Sequence, residues 1–529
     1  MVVTFDTSLG IFEVHSQPIM SHEGFSRWIT DTLNVQGICL ICLASLLCYY
    51  AYRGLRSNSR SIARPLPGPR SWPVIGSIPS IMWYSKHHGH RAFTEMAKRY
   101  GPVFGVMLGP AQYMVILNDK RTIREAFVTQ SAKMTDRPIP GLVKISFPVQ
   151  GSLGWESGKI WSARRRFILR AFRTLGFSKS GILGQRIHEE AKALCASFDE
   201  YGGLPFNPKR LLEYAASNLF CSIALGDRYE YKDPVFCSLV NNSRVVLDNL
   251  SAVSIGNFFP FLYHSPVCRE YREAANYLTE FIRGLVDHHK ENFNGNEMRD
   301  VVDLYLEEVR RTQDKREDGV KFHEEDVWRS MIDLLIGGSF SVSSHVMWTL
   351  LFTTQYPEVQ ERIHKEIDSA VGDRAPSLDD RDSLPFTRAT LLEVMRCRVG
   401  TLSIPHLAND DAVVGGCFIQ KGSHVMANLW ALHHDPLVWE EPEKFNPCRF
   451  LSGDESAIVL PDYFMPFGAG PRTCPGAQLA KHQVFLLFAS IMQKYKLVIP
   501  ESEPTPDMEG KACGPALQPV DFRLCTIKR

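Results

Sequence analysis

The chain has 529 residues, 44% hydrophobic and 22% charged, with a formal net charge of +1. This is ample material for a large core, and it lacks the strong basic excess of a nucleic-acid binder. The 13 cysteines are scattered, with no CxxC pairs at zinc spacing and no dense framework, so the bulk of the chain reads as lying in a reducing compartment. The first long apolar run, Val35 to Tyr52, is about the shortest comfortable transmembrane helix. Cys39, Cys42 and Cys48 act there as small hydrophobes. A cleaved signal peptide fits badly, because a long segment precedes the run and no small-residue cleavage site follows it. Asp6, Glu13, Glu23 and Asp31 stand before it against Arg27 alone, while Arg53, Arg56, Arg60 and Arg64 follow. The positive-inside rule then puts residues 1–34 in the lumen and everything after 52 in the cytosol. Two sequons, at Asn241 and Asn249, should stay unmodified in that topology.

Residues 53–76 are basic and then proline-rich, from Arg64-Pro65-Leu66-Pro67-Gly68-Pro69 to Gly76, and read as a stiff hinge. Residues 77–529 read as one large domain without repeats. Short β-like pieces come early, at Val103 to Leu108 and Met114 to Leu117. Helical periodicity dominates later, at Tyr277 to Asn292 and Asp326 to Phe352, and Pro357 suits the first turn of a further helix. The charged run Arg310 to Asp318 reads as a solvated loop. The aromatic segment Val253 to Tyr263 divides evenly between core packing and a second membrane contact.

The most specific run is Pro466-Phe467-Gly468-Ala469-Gly470-Pro471-Arg472-Thr473-Cys474-Pro475-Gly476. It offers one soft ligand in a glycine-rich turn, with a cation two residues before it. Thiolate ligation of a haem iron pushes electron density towards oxygen and favours O–O cleavage. That chemistry needs a sharply bent backbone, which Gly468, Gly470 and Gly476 allow, and N–H groups directed at the sulfur. Arg472 can meet a haem propionate.

The run resembles the haem-binding signature of cytochrome P-450 enzymes, FxxGxRxCxG, with Phe467, Gly470, Arg472, Cys474 and Gly476 at every fixed position. Other segments resemble the family in its order and spacing. Trp161 and Arg165 match WxxxR, and with His406 they are implied propionate ligands. Glu393 and Arg396 on one helix, with Arg449 in a PxxFxPxRF segment, imply a buried structural network behind the haem. Gly337, Gly338 and Ser341 match the oxygen-binding [AG]GxxT, with a serine hydroxyl at the threonine position. Two departures stand out. Phe340 replaces the usual acid, leaving Ser341 and the more distant His345 as candidate water-holding groups, and Thr401 replaces a common proline.

The resemblance implies a mainly α fold with a minor β region, the cytochrome P-450 fold, as a single large domain after an N-terminal transmembrane helix. It implies haem b (iron protoporphyrin IX) and electrons from NADPH through a flavoprotein reductase, with cytochrome b5 as a second donor. The implied activity is monooxygenation of a lipophilic steroid, fatty acid or xenobiotic by a single-pass endoplasmic-reticulum enzyme of the animal microsomal type. Two rivals remain: a haem-thiolate isomerase or dehydratase of a lipid hydroperoxide, for which Phe340 is harmless, and a non-catalytic haem protein that binds a lipid.

Overall fold

The computed structural model describes residues 2–6, 11–15, 48, 66–72, 75–85, 89–109, 112–175, 182–250, 254–293, 295, 298–314, 320–398, 404–513 and 515–529. The expected anchor (apart from Cys48), the basic stretch after it and Thr401 lie outside these residues. Near the N-terminus, β1 (Val2–Asp6) pairs antiparallel with β2 (Ile11–His15).

One helix organises the rest. Glu325–Gln355 is apolar around most of its circumference, and such a helix must be buried on all sides. Among the described residues it alone is long and apolar enough to cross a membrane, yet 78% of its most apolar window is buried inside the protein. Glu325 and Asp326 suit the positive end of its dipole, and Pro357 starts the next helix immediately after extended Tyr356.

The helices around it are α1 (Gly158–Thr174), α2 (Ile182–Asp199), α3 (Lys209–Ala224), α4 (Pro234–Asp248), α5 (Arg269–Asn292) and α6 (Val301–Asp314). The central helix is α7, followed by α8 (Pro357–Ala370), α9 (Pro385–Cys397) and α10 (Ala477–Lys494). From Val342 onward α7 packs into an apolar cluster with α2, α3, α8, α9 and α10. Up to Phe340 it packs into a second cluster with α1, α4, α5 and α6. Ser341 therefore sits where the two clusters meet, which is where a cavity opens.

A small sheet flanks the helices, in the order β3 (Val103–Leu108), β4 (Gln112–Leu117), β6 (His424–Ala427), β5 (His406–Leu407). β3 and β4 are antiparallel, β4 and β6 parallel, and β5 pairs antiparallel with β6. The proline-rich segment docks on this sheet: the Gly105 N–H donates to the Pro67 carbonyl at 2.8 Å, and the Ser77 N–H to Met107 at 2.6 Å.

Two sequence readings change. Arg310 to Asp314 are helical, closing α6, because Val301, Val302, Tyr305 and Val309 bury one face and Arg310 and Arg311 pair with Glu307 and Glu308 one turn back. The segment around Phe258 to Tyr263 is mixed: Tyr263 is buried, whereas Phe261 is 54% exposed.

Candidate active site

A cavity of about 420 Å³ lies between the middle of α7 and the loop before α10. Cys474 opens into it. The loop is held in shape by its own backbone: the Cys474 N–H donates to Phe467 at 3.0 Å and Gly468 to Met465 at 3.0 Å. Gly468 and Gly470 adopt φ of +79° and +74°. At Gly470 a Cβ would also overlap the Phe127 carbonyl, so the position excludes any side chain. Burial pushes the Cys474 thiol up, while the Gly476 N–H and the positive charge of Arg165 oppose that shift. A sulfur open to an enclosed cavity, with an N–H and a positive charge favouring its anionic form, is set up to ligate a metal as thiolate.

Basic side chains gather beside it. Arg137, Arg165, Arg472 and His406 all line the cavity. Arg472 donates through Nε to the Thr135 carbonyl and through Nη2 to Glu156, both at 2.6 Å. Its guanidinium carbon lies 3.5 Å from the centre of the Trp161 ring. The Trp161 indole N–H donates to the Leu153 carbonyl at 3.1 Å. Arg137 donates to the carbonyls of Ile404 and Pro405. His406 stacks on Phe127 and directs Nδ1 at the Met134 carbonyl, 2.6 Å away. Burial, then repulsion by neighbouring arginines, lowers Arg137 and Arg472 to about 9, and burial lowers Arg165. All three stay charged at neutral pH. The only carboxylate lining the cavity among the described residues is Asp333, which Arg329 binds at 2.5 Å. Asp136 acts on Arg472 from outside the lining, so the cavity wall offers this cluster no free carboxylate, and a ligand with two carboxylates, such as the propionates of a haem, fits it.

The opposite wall also leaves room for a flat group. Gly337 and Gly338 lie inside regular α7, where each glycine costs about 1 kcal/mol relative to alanine. A Cβ at either would meet nothing within 4 Å, so no packing neighbour explains them. The Ser341 hydroxyl donates to the Gly337 carbonyl at 2.7 Å. Phe340 borders the cavity, and its ring faces the Arg244 guanidinium at 4.8 Å. Arg244 in turn pairs with Glu213 and donates to Gln518 at 3.3 Å. One turn beyond Ser341, buried His345 also lines the cavity. Its Nε2 has no partner among the described residues, and burial lowers it to about 4.

Behind the loop, Arg396 donates to both carboxylate oxygens of Glu393 at 2.8 Å and to the His433 carbonyl at 2.8 Å. Arg449 donates to the same carboxylate at 3.2 Å, and the Asn446 N–H donates to it at 2.9 Å. Glu393 and Arg396 side chains are fully buried.

The chain matches the family model described as Cytochrome P450 over residues 66–526. It is 33% identical over 484 residues to cytochrome P450 2U1 of Rattus norvegicus, covering 88% of this chain and 90% of that protein. It is 32% identical over 520 residues to cytochrome P450 2U1 of Homo sapiens, covering 93% and 94%. It is also 32% identical over 507 residues to the steroid 17-alpha-hydroxylase/17,20 lyase of Oryzias latipes, covering 93% and 97%.

This chain is a cytochrome P450.

It is a haem-thiolate monooxygenase, with a haem-iron cofactor, a redox partner that supplies electrons, and a lipophilic substrate. Within this P450, three site features escaped the sequence reading. Arg137 completes the cationic cluster, and Phe127 both stacks on His406 and crowds Gly470. Arg164, the first of three consecutive arginines, is buried: it pairs with Glu156 and with Asp326 at 2.7 Å, and donates to the Tyr305 hydroxyl. Only Arg166 of the three consecutive arginines is exposed. The Arg137-Pro138 pair was the available signal, since a cation fixed before a proline sits in extended chain.

Proposed function

We propose that this P450 uses haem b, bound through Cys474, to hydroxylate a lipophilic substrate with electrons from NADPH delivered by a flavoprotein reductase. Cytochrome b5 is a second donor in this reading. The observation that carries it is the cluster of Arg137, Arg165, Arg472 and His406 in a cavity whose one carboxylate among the described residues, Asp333, is already bound by Arg329. When bound, the haem supplies oxygen activation, and its thiolate ligand favours O–O cleavage.

The chain's own residues do the rest. Arg165, Arg472 and His406 hold the propionates, with the Trp161 ring stacked against Arg472. The Gly476 N–H and the enclosing protein set the electron density of the Cys474 sulfur. Gly337 and Gly338 keep side chains off the reacting face. Ser341 can turn its hydroxyl from the Gly337 carbonyl and hold a water or pass a proton at Oγ. Phe340 can do neither. Glu393, Arg396 and Arg449 fix the scaffold behind the thiolate loop.

The steroid hydroxylase among the relatives supports a membrane-dissolved substrate. The apolar run at 35–52 and the basic residues after it support a single-pass anchor in the endoplasmic reticulum, with residues 1–34 in the lumen and the catalytic domain in the cytosol. Phe340 keeps the hydroperoxide isomerase as a second reading, because that chemistry needs no delivered protons. NADPH use, hydrogen peroxide and oxygenated product, recorded together with reductase across steroids and other lipids, separate the two. Product matching NADPH use supports the monooxygenase. Turnover of hydroperoxide alone, with NADPH unused, rejects it.

A further inference from the structure

One side chain joins the buried Glu393–Arg396 pair to the Cys474 loop. His433 ends the short helix Leu429–His433 and is completely buried. Its carbonyl accepts from Arg396 at 2.8 Å, and its ring Nε2 accepts from the Met465 N–H at 3.1 Å. The Met465 carbonyl in turn accepts from the Gly468 N–H, and the Phe467 carbonyl from Cys474, each at 3.0 Å. Hydrogen bonds and short steps of backbone therefore lead without a break from Glu393 to the Cys474 N–H.

The ring is held in a form that has a cost. A backbone N–H can only donate, so Nε2 is the bare nitrogen and Nδ1 carries the proton. Burial, then repulsion by Arg396, lowers the ring to about 3, so it is uncharged near neutrality. Its Nδ1–H is buried with no partner among the described residues, and an unmatched buried donor destabilises the fold. The ring lies among aromatic neighbours, with centres 5.5 Å from Phe464 and 6.4 Å from Trp439. Leucine or phenylalanine would suit those walls without stranding a donor. What the histidine adds is the acceptor aimed at Met465.

Resting on the haem-thiolate reading, we infer that His433 is a positioning residue for the thiolate: its Nε2 fixes Met465, and through it the bend at Gly468 that leads to Cys474, against the Glu393–Arg396 pair. His433 does not line the cavity, so it acts through the loop rather than on the reacting atoms. With Met465 fixed, the loop keeps the Gly476 N–H on the Cys474 sulfur, which favours the anionic form. Without the acceptor, the Met465 N–H is left buried and unpaired, and the loop moves to satisfy it.

The test compares His433→Leu, His433→Phe and His433→Gln with the wild type, each as the haem-loaded full chain well below its melting temperature. Glutamine places Oε1 near the position of the imidazole Nε2 and can accept in its stead. The readout is the carbon monoxide complex of the reduced protein, followed as its thiolate-type band decays to the band of a neutral thiol. Leucine and phenylalanine should speed that decay by about tenfold, the effect of one lost hydrogen bond, and glutamine should restore most of the lifetime. Decay at the wild-type rate in the leucine and phenylalanine variants would overturn the inference. Equally fast decay in all three would overturn it too, since the acceptor would then not matter. If neither apolar variant takes up haem, the glutamine variant decides: a stable thiolate-type band supports the inference, and failure to load haem overturns it. Absence of a thiolate-type band in the wild type, or its survival in Cys474→Ser, would instead reject the haem-thiolate reading itself.

Discussion

Arg472 lies face-on to the indole of Trp161, its guanidinium carbon 3.5 Å from the ring centre, and so ties the thiolate loop to α1. The contact is desolvated, where such a pair contributes about 2 kcal/mol. Trp161→Ala should therefore loosen Arg472 and speed haem loss by roughly tenfold or more, with the protein still folded. Transfer of haem to a scavenger protein measures the rate, and Trp161→Phe should fall between the variant and the wild type.

The buried Glu393–Arg396 pair predicts a larger effect on stability. Removing one partner strands a charge in the core, at a cost of about 3–5 kcal/mol. Glu393→Gln and Arg396→Leu should each lower the melting temperature and the yield of haem-loaded protein. Arg449→Lys should be milder, because Arg449 also donates to the carbonyls of Glu440, Glu441 and Lys444, and a lysine keeps part of that set. Thermal unfolding with haem absorbance as a second probe distinguishes these outcomes.

Phe340 fills the acid position with an aromatic ring against Arg244. Phe340→Glu should pair with Arg244 and restore a proton source beside Ser341. The share of NADPH lost to hydrogen peroxide should fall several-fold at unchanged substrate affinity. Unchanged coupling would mean that Ser341 with water already suffices.

One pH dependence lies away from the cavity. His289 directs Nδ1 at the Leu285 carbonyl and Nε2 at Asp300, each at 2.9 Å. Both partners accept, which favours the imidazolium, and the Asp300 hydrogen bond raises the ring above its ordinary value of 6.5. Asp303 beside it is held by Arg299. Because the folded value is raised, this stabilisation is complete below about pH 6.5 and is lost as pH rises through the folded value. The melting temperature of wild type should fall over that rise, and His289→Gln should flatten the slope.

Much of the site was legible where chemistry demands a fixed spacing. Gly470 and Cys474 announce a turn around a ligand, and Trp161 with Arg165 share one helix face. Arg137, marked only by the proline after it, and Phe127, in the helical turn Glu125–Thr129, were hard to read, because neither belongs to a spaced motif and the value of each comes only from what the fold brings beside it. Arg164 was hidden for the opposite reason. Three consecutive arginines look like a solvated face, yet at 3.6 residues per turn they point in different directions, and Asp326 on α7 makes burial of one of them tolerable. The strands at β3 and β4 and the long α7 followed from hydrophobic pattern alone, whereas the end of α6 depended on ion pairs that the charge run concealed.

The central claim is that Cys474 is the haem ligand. The carbon monoxide difference spectrum of the dithionite-reduced protein tests it directly, with Cys474→Ser measured alongside the wild type. The account predicts a thiolate-type band in the wild type and its loss in Cys474→Ser. A band that survives the substitution would contradict it.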